Sequence, residues 1–159
     1  MVEHFRKVLE TAAKYEVSLV VHEPIKDTGL RRTFPNMMSR EGAKGQEFNG
    51  FMSSKDNNKP NHTTIIPFTR LLSSPMDYTP GIFNLVDYRY NSPEDRKINP
   101  NHRIPSTISK ELALYVVIYA PVQMAADLPS NYEGNPAFQF ILDVPTDWEE
   151  TKVLNGEIG

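Results

Sequence analysis

Glu23, Glu41 and Glu47 fall within residues 20–47, "VVHEPIKDTGLRRTFPNMMSREGAKGQE", with His22 beside the first of them. Two kinds of chemistry use carboxylates gathered in this way: general acid and base catalysis, and the holding of a hard cation. If the three converge, each raises the pKa of its neighbours unless a cation neutralises them. Oxygen ligands in a chain without cysteine point to calcium, which takes six to eight oxygens, rather than to zinc. The alternative is a solvated surface, and spacing leaves both open. Glu41 and Glu47 are six residues apart, which turns them about 120° from each other on a regular helix, so one unbroken helix does not aim both at one point. Convergence requires Glu41 to sit in irregular backbone ahead of a helix that starts near Gly42 or Gly45. Glu23 closes an apolar strand, where burial demands a partner and exposure costs little. His4, His22, His62 and His102 have no zinc-binding spacing, and only His22, next to Glu23, is a site candidate.

These side chains depend on the elements around them. Phe5, Val8, Leu9, Ala12 and Ala13 form a helical stripe over residues 3–15, and Val17 to Val21 follow as a short β-rich run. That run is nearly continuous, as in a parallel strand covered on both faces. A helix is expected over about residues 36–52, weakened by its glycines, and a strand in "HTTIIPF", residues 62–68. Residues 73–105 read as a long connection rich in Pro, Asp, Asn and Ser. "STISKELALYVVIYA", residues 106–120, is the clearest helix, capped by Ser106 or Ser109 ahead of Leu112, Leu114, Val116 and Val117. "PVQMAAD" suggests a third strand and "NPAFQFILDVP" a short helix, while "TDWEETKVLNGEIG" starts something without an evident partner. Helix and strand alternate, which predicts an α/β architecture with parallel strands. In such folds the chemistry gathers where strands end at their carboxyl side, and His22 and Glu23 sit at such an end.

Composition narrows the function classes. With 39% hydrophobic residues the chain can bury a core, so disorder is not expected. A net charge of −3 and the lack of a basic stripe argue against nucleic acid. No apolar run approaches the roughly 20 residues of a membrane span, and the N-terminal residues pattern as an amphipathic helix rather than a signal peptide. Arg31 and Arg32 fit a solvated loop or an anion contact, Asp77 and Tyr78 in "PMDYTPG" fit a structural turn or a sugar-facing one, and Trp148 alone makes no stacking platform.

"HEPIKDTGLRRTFPNMMSREGAKGQEF", then "NHTTIIPFTRLLSSPMDYTPGIF", then "STISKELALYVVIYAPVQMAADLPSNY" resemble, in order, the catalytic domain of glycoside hydrolase family 97. The family comprises bacterial α-glucosidases and α-galactosidases, found largely in Bacteroidetes. The resemblance covers nearly the whole chain. It implies the later βα units of a partial (β/α)8 TIM-type barrel over residues 1–145, with 146–159 starting the connection to a C-terminal β-domain. It also implies an oligosaccharide substrate and a Ca2+ cofactor. Carried over by residue, it makes Glu47 in "GQE" the general acid and a calcium contact, and Glu41 in "SREG" a calcium ligand. Glu23 in "HEP" becomes a calcium ligand and one of two water-activating carboxylates, and His22 a substrate contact.

In the retaining α-galactosidase branch the position of Glu23 is typically not glutamate, so "HE" favours an inverting, calcium-dependent α-glucosidase acting on starch-type oligosaccharides. An inverting site holds acid and base roughly 6.5–9.5 Å apart to admit water. The alternatives are a retaining α-galactosidase and a sugar-binding remnant. The resemblance further implies a periplasmic or secreted parent, with a second water-activating glutamate and an N-terminal domain upstream of Met1. The 159 residues alone are therefore expected to be inactive.

Overall fold

The computed structural model describes residues 1–51, 58–86 and 103–159. Residue 52 of the expected second helix, His102 and the middle of the 73–105 connection lie outside the described residues.

Helix α1 (Val2–Lys14) follows the apolar stripe, but of that stripe it buries only Leu9; Phe5 and Ala12 are half-buried and Val8 and Ala13 exposed. Strand β1 (Leu19–Val21) comes next and lies half-buried, not covered on both faces as its continuous apolar run suggests. Of the helix expected over 36–52, the described residues form only one turn, at Phe48–Phe51. A one-turn helix α2 (Leu30–Thr33) leads instead into strand β2 (Met37–Arg40), which pairs parallel with β1 through Leu19↔Met37, Val20↔Ser39 and Val21↔Arg40. Pairing decides the conformation here: Met37, Ser39 and Arg40 are buried, whereas a helix would leave β1 without this partner. Asn36 braces the junction, its side-chain amide donating to the carbonyl of Val17 (3.1 Å) while its own carbonyl accepts from the Leu19 amide (2.7 Å).

One turn of helix, α3 (Phe48–Phe51), follows Glu47. The β-branched run at 62–68 is helical rather than extended: α4 (His62–Ile65) passes into 3-10 turns at Ile66–Phe68 and Arg70–Leu72. Pro67, which has no backbone donor for an interior ladder, sits in the first turn of the 3-10 segment, where its fixed φ fits. The chain then returns to the sheet at Met76, which bridges parallel to Arg40 and adds a third parallel segment beside β2.

Helix α5 (Ile108–Val117) is capped by Thr107, whose hydroxyl oxygen accepts from the Lys110 amide at 3.1 Å, rather than by Ser106 or Ser109. Its Leu114, with Ile118 just beyond, joins Ile66, Met76 and Tyr78 in the core, so α5 covers the third parallel segment; Val116 and Val117 stay exposed. The "PVQMAAD" segment is not a strand. Short helices α6 (Pro129–Tyr132) and α7 (Phe138–Asp143) close the fold through the Tyr132–Phe138 stack, with centroids 4.4 Å apart. Residues 144–159 hold no helix or strand, and no helix among the described residues is long and apolar enough to cross a membrane.

Candidate active site

The three parallel segments end at one edge, and the next residue of each carries an ionisable side chain: His22 after β1, Glu41 after β2 and Asp77 after Met76. His22 Nε2 lies 2.6 Å from Asp77 Oδ2, and its Nδ1 lies 3.9 Å from Glu41 Oε2. Glu47 joins them from the loop after β2: one ligand-type atom from each of His22, Glu41 and Glu47 falls within 4.8 Å of the others, a group able to hold a metal ion. The Thr79 hydroxyl lies 3.0 Å from Glu47 Oε2 and 2.7 Å from the Tyr78 carbonyl, so its one proton is shared between the two acceptors.

Glu23 stands beside this group rather than in it. Its side chain is exposed, while its amide donates to Glu41 Oε2 at 3.3 Å. The residue has φ 48°, a left-handed conformation that a glutamate adopts only under constraint. Of the site residues expected from sequence, then, the structure brings His22, Glu41 and Glu47 together and leaves the Glu23 side chain at the rim. The helix that would have turned Glu41 and Glu47 apart is absent. Irregular backbone through Gly42 and Gly45 brings them together, and a Cβ on Gly45 would press on the Glu47 carboxylate.

The electrostatics follow from this crowding. Burial pushes the Glu41 carboxyl above its ordinary range, and hydrogen bonding with and charge from Glu47 push it further, against the Glu23 amide and His22. The hydrogen bond to Asp77 raises the His22 pKa; burial opposes it, and the charges of Asp77, Glu41 and Glu47 reinforce it. Asp77 is itself only 3% exposed, so it fixes the ring while His22 keeps an open face.

Two arginines hold the edge. Arg70 donates to the carbonyls of Arg40 (2.7 Å), Glu41 (2.9 Å), Ser74 (2.9 Å) and Pro75 (3.2 Å), tying the end of β2 to the segment that carries Asp77. Burial and the neighbouring Arg40 lower its pKa to about 10. Arg40 reaches the hydroxyls of Ser74 (3.0 Å) and Ser73 (2.8 Å). Sequence reasoning passed over Arg70 altogether and left Asp77 open as a turn residue. For neither does the sequence hold a local signal, because only the Arg40↔Met76 bridge brings both to this edge.

The family profile described as Glycoside hydrolase 97 matches residues 1–43. A solved structure of a glycoside hydrolase family 97 enzyme from a Pseudoalteromonas species, in complex with acarbose, is 51% identical and superposes with a TM-score of 0.80 over 94% of this chain. The chain belongs to glycoside hydrolase family 97. A glutamate-to-glutamine variant of a family 97 enzyme from the same source, in complex with panose, is 50% identical with the same TM-score and coverage. Among curated proteins, the Retaining alpha-galactosidase of Bacteroides thetaiotaomicron is 37% identical over 96% of this family 97 chain, and a Probable retaining alpha-galactosidase of Streptomyces bingchenggensis 30% identical over 98%. The chain spans about a fifth of each: 22% of the Pseudoalteromonas and Bacteroides proteins and 21% of the Streptomyces one.

Proposed function

We propose that these residues form part of the site of an inverting, calcium-dependent α-glucosidase. The observation that carries this is the meeting of Glu41 and Glu47 with His22 at the carboxyl edge of three parallel segments, with Glu23 at the rim. Glu47 acts as general acid, protonating the glycosidic oxygen as its bond to the sugar breaks. Glu23, whose exposed side chain faces solvent, is one of the carboxylates that take a proton from the attacking water. His22, fixed through Nε2 by Asp77, presents its other edge to a sugar hydroxyl.

The donor set fits calcium. Glu41 and Glu47 crowd each other, and burial drives Glu41 toward neutrality, a conflict that a divalent cation resolves. Glu41 and Glu47 would hold the ion, with Glu23 completing the carboxylate set. When bound, calcium would supply positive charge that keeps Glu41 and Glu23 ionised and in place, while Glu47 would contact it through the carboxyl oxygen that does not carry the proton it delivers.

The α-gluco preference draws on the Pseudoalteromonas complexes: acarbose and panose are bound by the relatives at 51% and 50% identity, and panose is built of α-linked glucose. The second reading, a retaining α-galactosidase, draws on the curated relatives at 37% and 30%. Proton NMR of the first sugar released by the full-length protein separates them. β-Glucose from an α-glucoside supports inversion; α-galactose from an α-galactoside overturns it. Within this reading residues 1–145 belong to a (β/α)8 barrel and 146–159 lead out of it toward a C-terminal β-domain, and the parent is exported to the periplasm or beyond.

A further inference from the structure

Glu111, on α5, is completely buried although it takes no part in the carboxylate group at the sheet edge. A carboxylate so placed is costly unless donors surround it. Here they do: the amides of Gly81 (3.0 Å) and Ile82 (3.3 Å) on Oε2, and the side-chain amide of Gln46 (3.2 Å) and the hydroxyl of Ser106 on Oε1.

Three of those donors belong to two short segments that carry the site. Gly81 and Ile82 end the turn that begins at Asp77 and contains Thr79; Gln46 immediately precedes Glu47. The segments also join directly, the Gln46 amide donating to the Tyr78 carbonyl at 2.8 Å, and they meet again where the Thr79 hydroxyl reaches Glu47 Oε2 at 3.0 Å. Between these ties Thr79 has φ 58°, a conformation that a β-branched residue does not choose. Strain of this kind persists only where the surroundings over-determine it. The fixed points here are Gln46 on Tyr78 before Thr79 and Glu111 on Gly81 after it.

We infer that Glu111 is a positioning residue for the acid step: by gripping Gly81, Ile82 and Gln46 together it keeps Thr79 on Glu47 and so aims the Glu47 carboxyl at the leaving group. This rests on the reading of Glu47 as general acid. In that step Glu47 gives its proton to the glycosidic oxygen as the bond from that oxygen to the anomeric carbon breaks, and Glu47 is left as carboxylate. A dinitrophenolate leaves without a proton, whereas phenolate benefits from one. A misaimed acid therefore slows the phenyl glycoside and spares the dinitrophenyl glycoside, while damage to sugar binding or to the fold slows both.

The test uses the full-length enzyme and both aryl glycosides of the sugar it hydrolyses. Glu111→Gln keeps the size of the side chain but turns one acceptor into a donor facing donors. It is expected to lower kcat on the phenyl glycoside by about 10- to 100-fold, the range for an acid displaced by up to about 1 Å, with KM and the dinitrophenyl rate within about threefold of the parent. Gln46→Met, which removes one arm of the grip, should show the same selectivity at smaller size, and serves if Glu111→Gln does not fold. Glu47→Gln is the reference, selective and larger. If Glu47→Gln is selective while the other variants slow both substrates equally, or neither, Glu111 holds the fold and not the acid. If Glu47→Gln slows both equally, the acid reading falls and this inference falls with it.

Discussion

Replacing Arg70 should loosen the sheet edge more than any single substitution among the site carboxylates. Its guanidinium makes three hydrogen bonds of 2.7–2.9 Å to main-chain carbonyls, those of Arg40, Glu41 and Ser74, and a fourth of 3.2 Å to Pro75. A hydrogen bond to a charged donor contributes a net of about 1.5 kcal/mol at the low end. The three shorter ones would then sum to about 4.5 kcal/mol, but they share one group and are half open to solvent, so Arg70→Met is expected to cost about 3 kcal/mol. For a domain of this size that lowers Tm by roughly 6–12 °C. Arg70→Lys keeps the charge, but one ammonium cannot span four carbonyls, so it should recover less than half of the loss. Thermal unfolding followed by circular dichroism reads both. A fall under about 2 °C for Arg70→Met, or full recovery with lysine, would show that charge alone or nothing at all is being contributed, and would sink the stapling argument.

Calcium at about 100 times its Kd should stabilise the folded chain by about 2.7 kcal/mol, a Tm rise of roughly 5–10 °C that Glu41→Gln removes for the most part; equal Tm in calcium and in chelator would count against the cation reading. The 159 residues alone should not turn over an aryl α-glucoside, and robust hydrolysis by them would contradict the assignment of the second base to another part of the protein. Gly81→Ala should destabilise, because φ is 102° there and the new Cβ would collide with the Tyr115 hydroxyl, which is tied to the Met124 carbonyl at 2.6 Å; an unchanged Tm would mean that this turn is softer than drawn. Burial alone would raise the Asp127 pKa, but the amide of Asn84, the Asn131 side chain and the amides of Leu128 and Phe83 hold it below its ordinary value. A depressed carboxyl contributes stability that is present above its unfolded pKa of about 3.9 and lost as pH falls through the folded value. Asp127→Asn should therefore lie closest to the parent in Tm in strong acid and furthest below it at neutral pH, and a gap that widens on acidification would reverse the sign.

How much of this was legible beforehand differs by scale. Helices α1 and α5 were readable because their apolar periodicity, and for α5 its polar start, are local properties of the chain. β2 was not, since nothing within "NMMSRE" says that Val20 and Val21 will offer it an edge; tertiary pairing decides that. The 62–68 run failed for the opposite reason: β-branched residues suggested a strand where the chain turns helical and then 3-10.

At the site, the glycines around residues 42–45 did signal that Glu41 and Glu47 need not obey helical geometry, and the structure brings the two together with His22. What could not be read was Asp77, because it reaches His22 across 55 positions of sequence and only the Arg40↔Met76 bridge makes them neighbours. The same bridge explains why the third segment matters as much as the strands. Arg70 binds the carbonyls on both sides of it, and the turn that follows it is gripped by Glu111. Local sequence thus announces which side chains have the chemistry, while long-range contacts supply the arginine, the aspartate and the buried glutamate that set where this chemistry points.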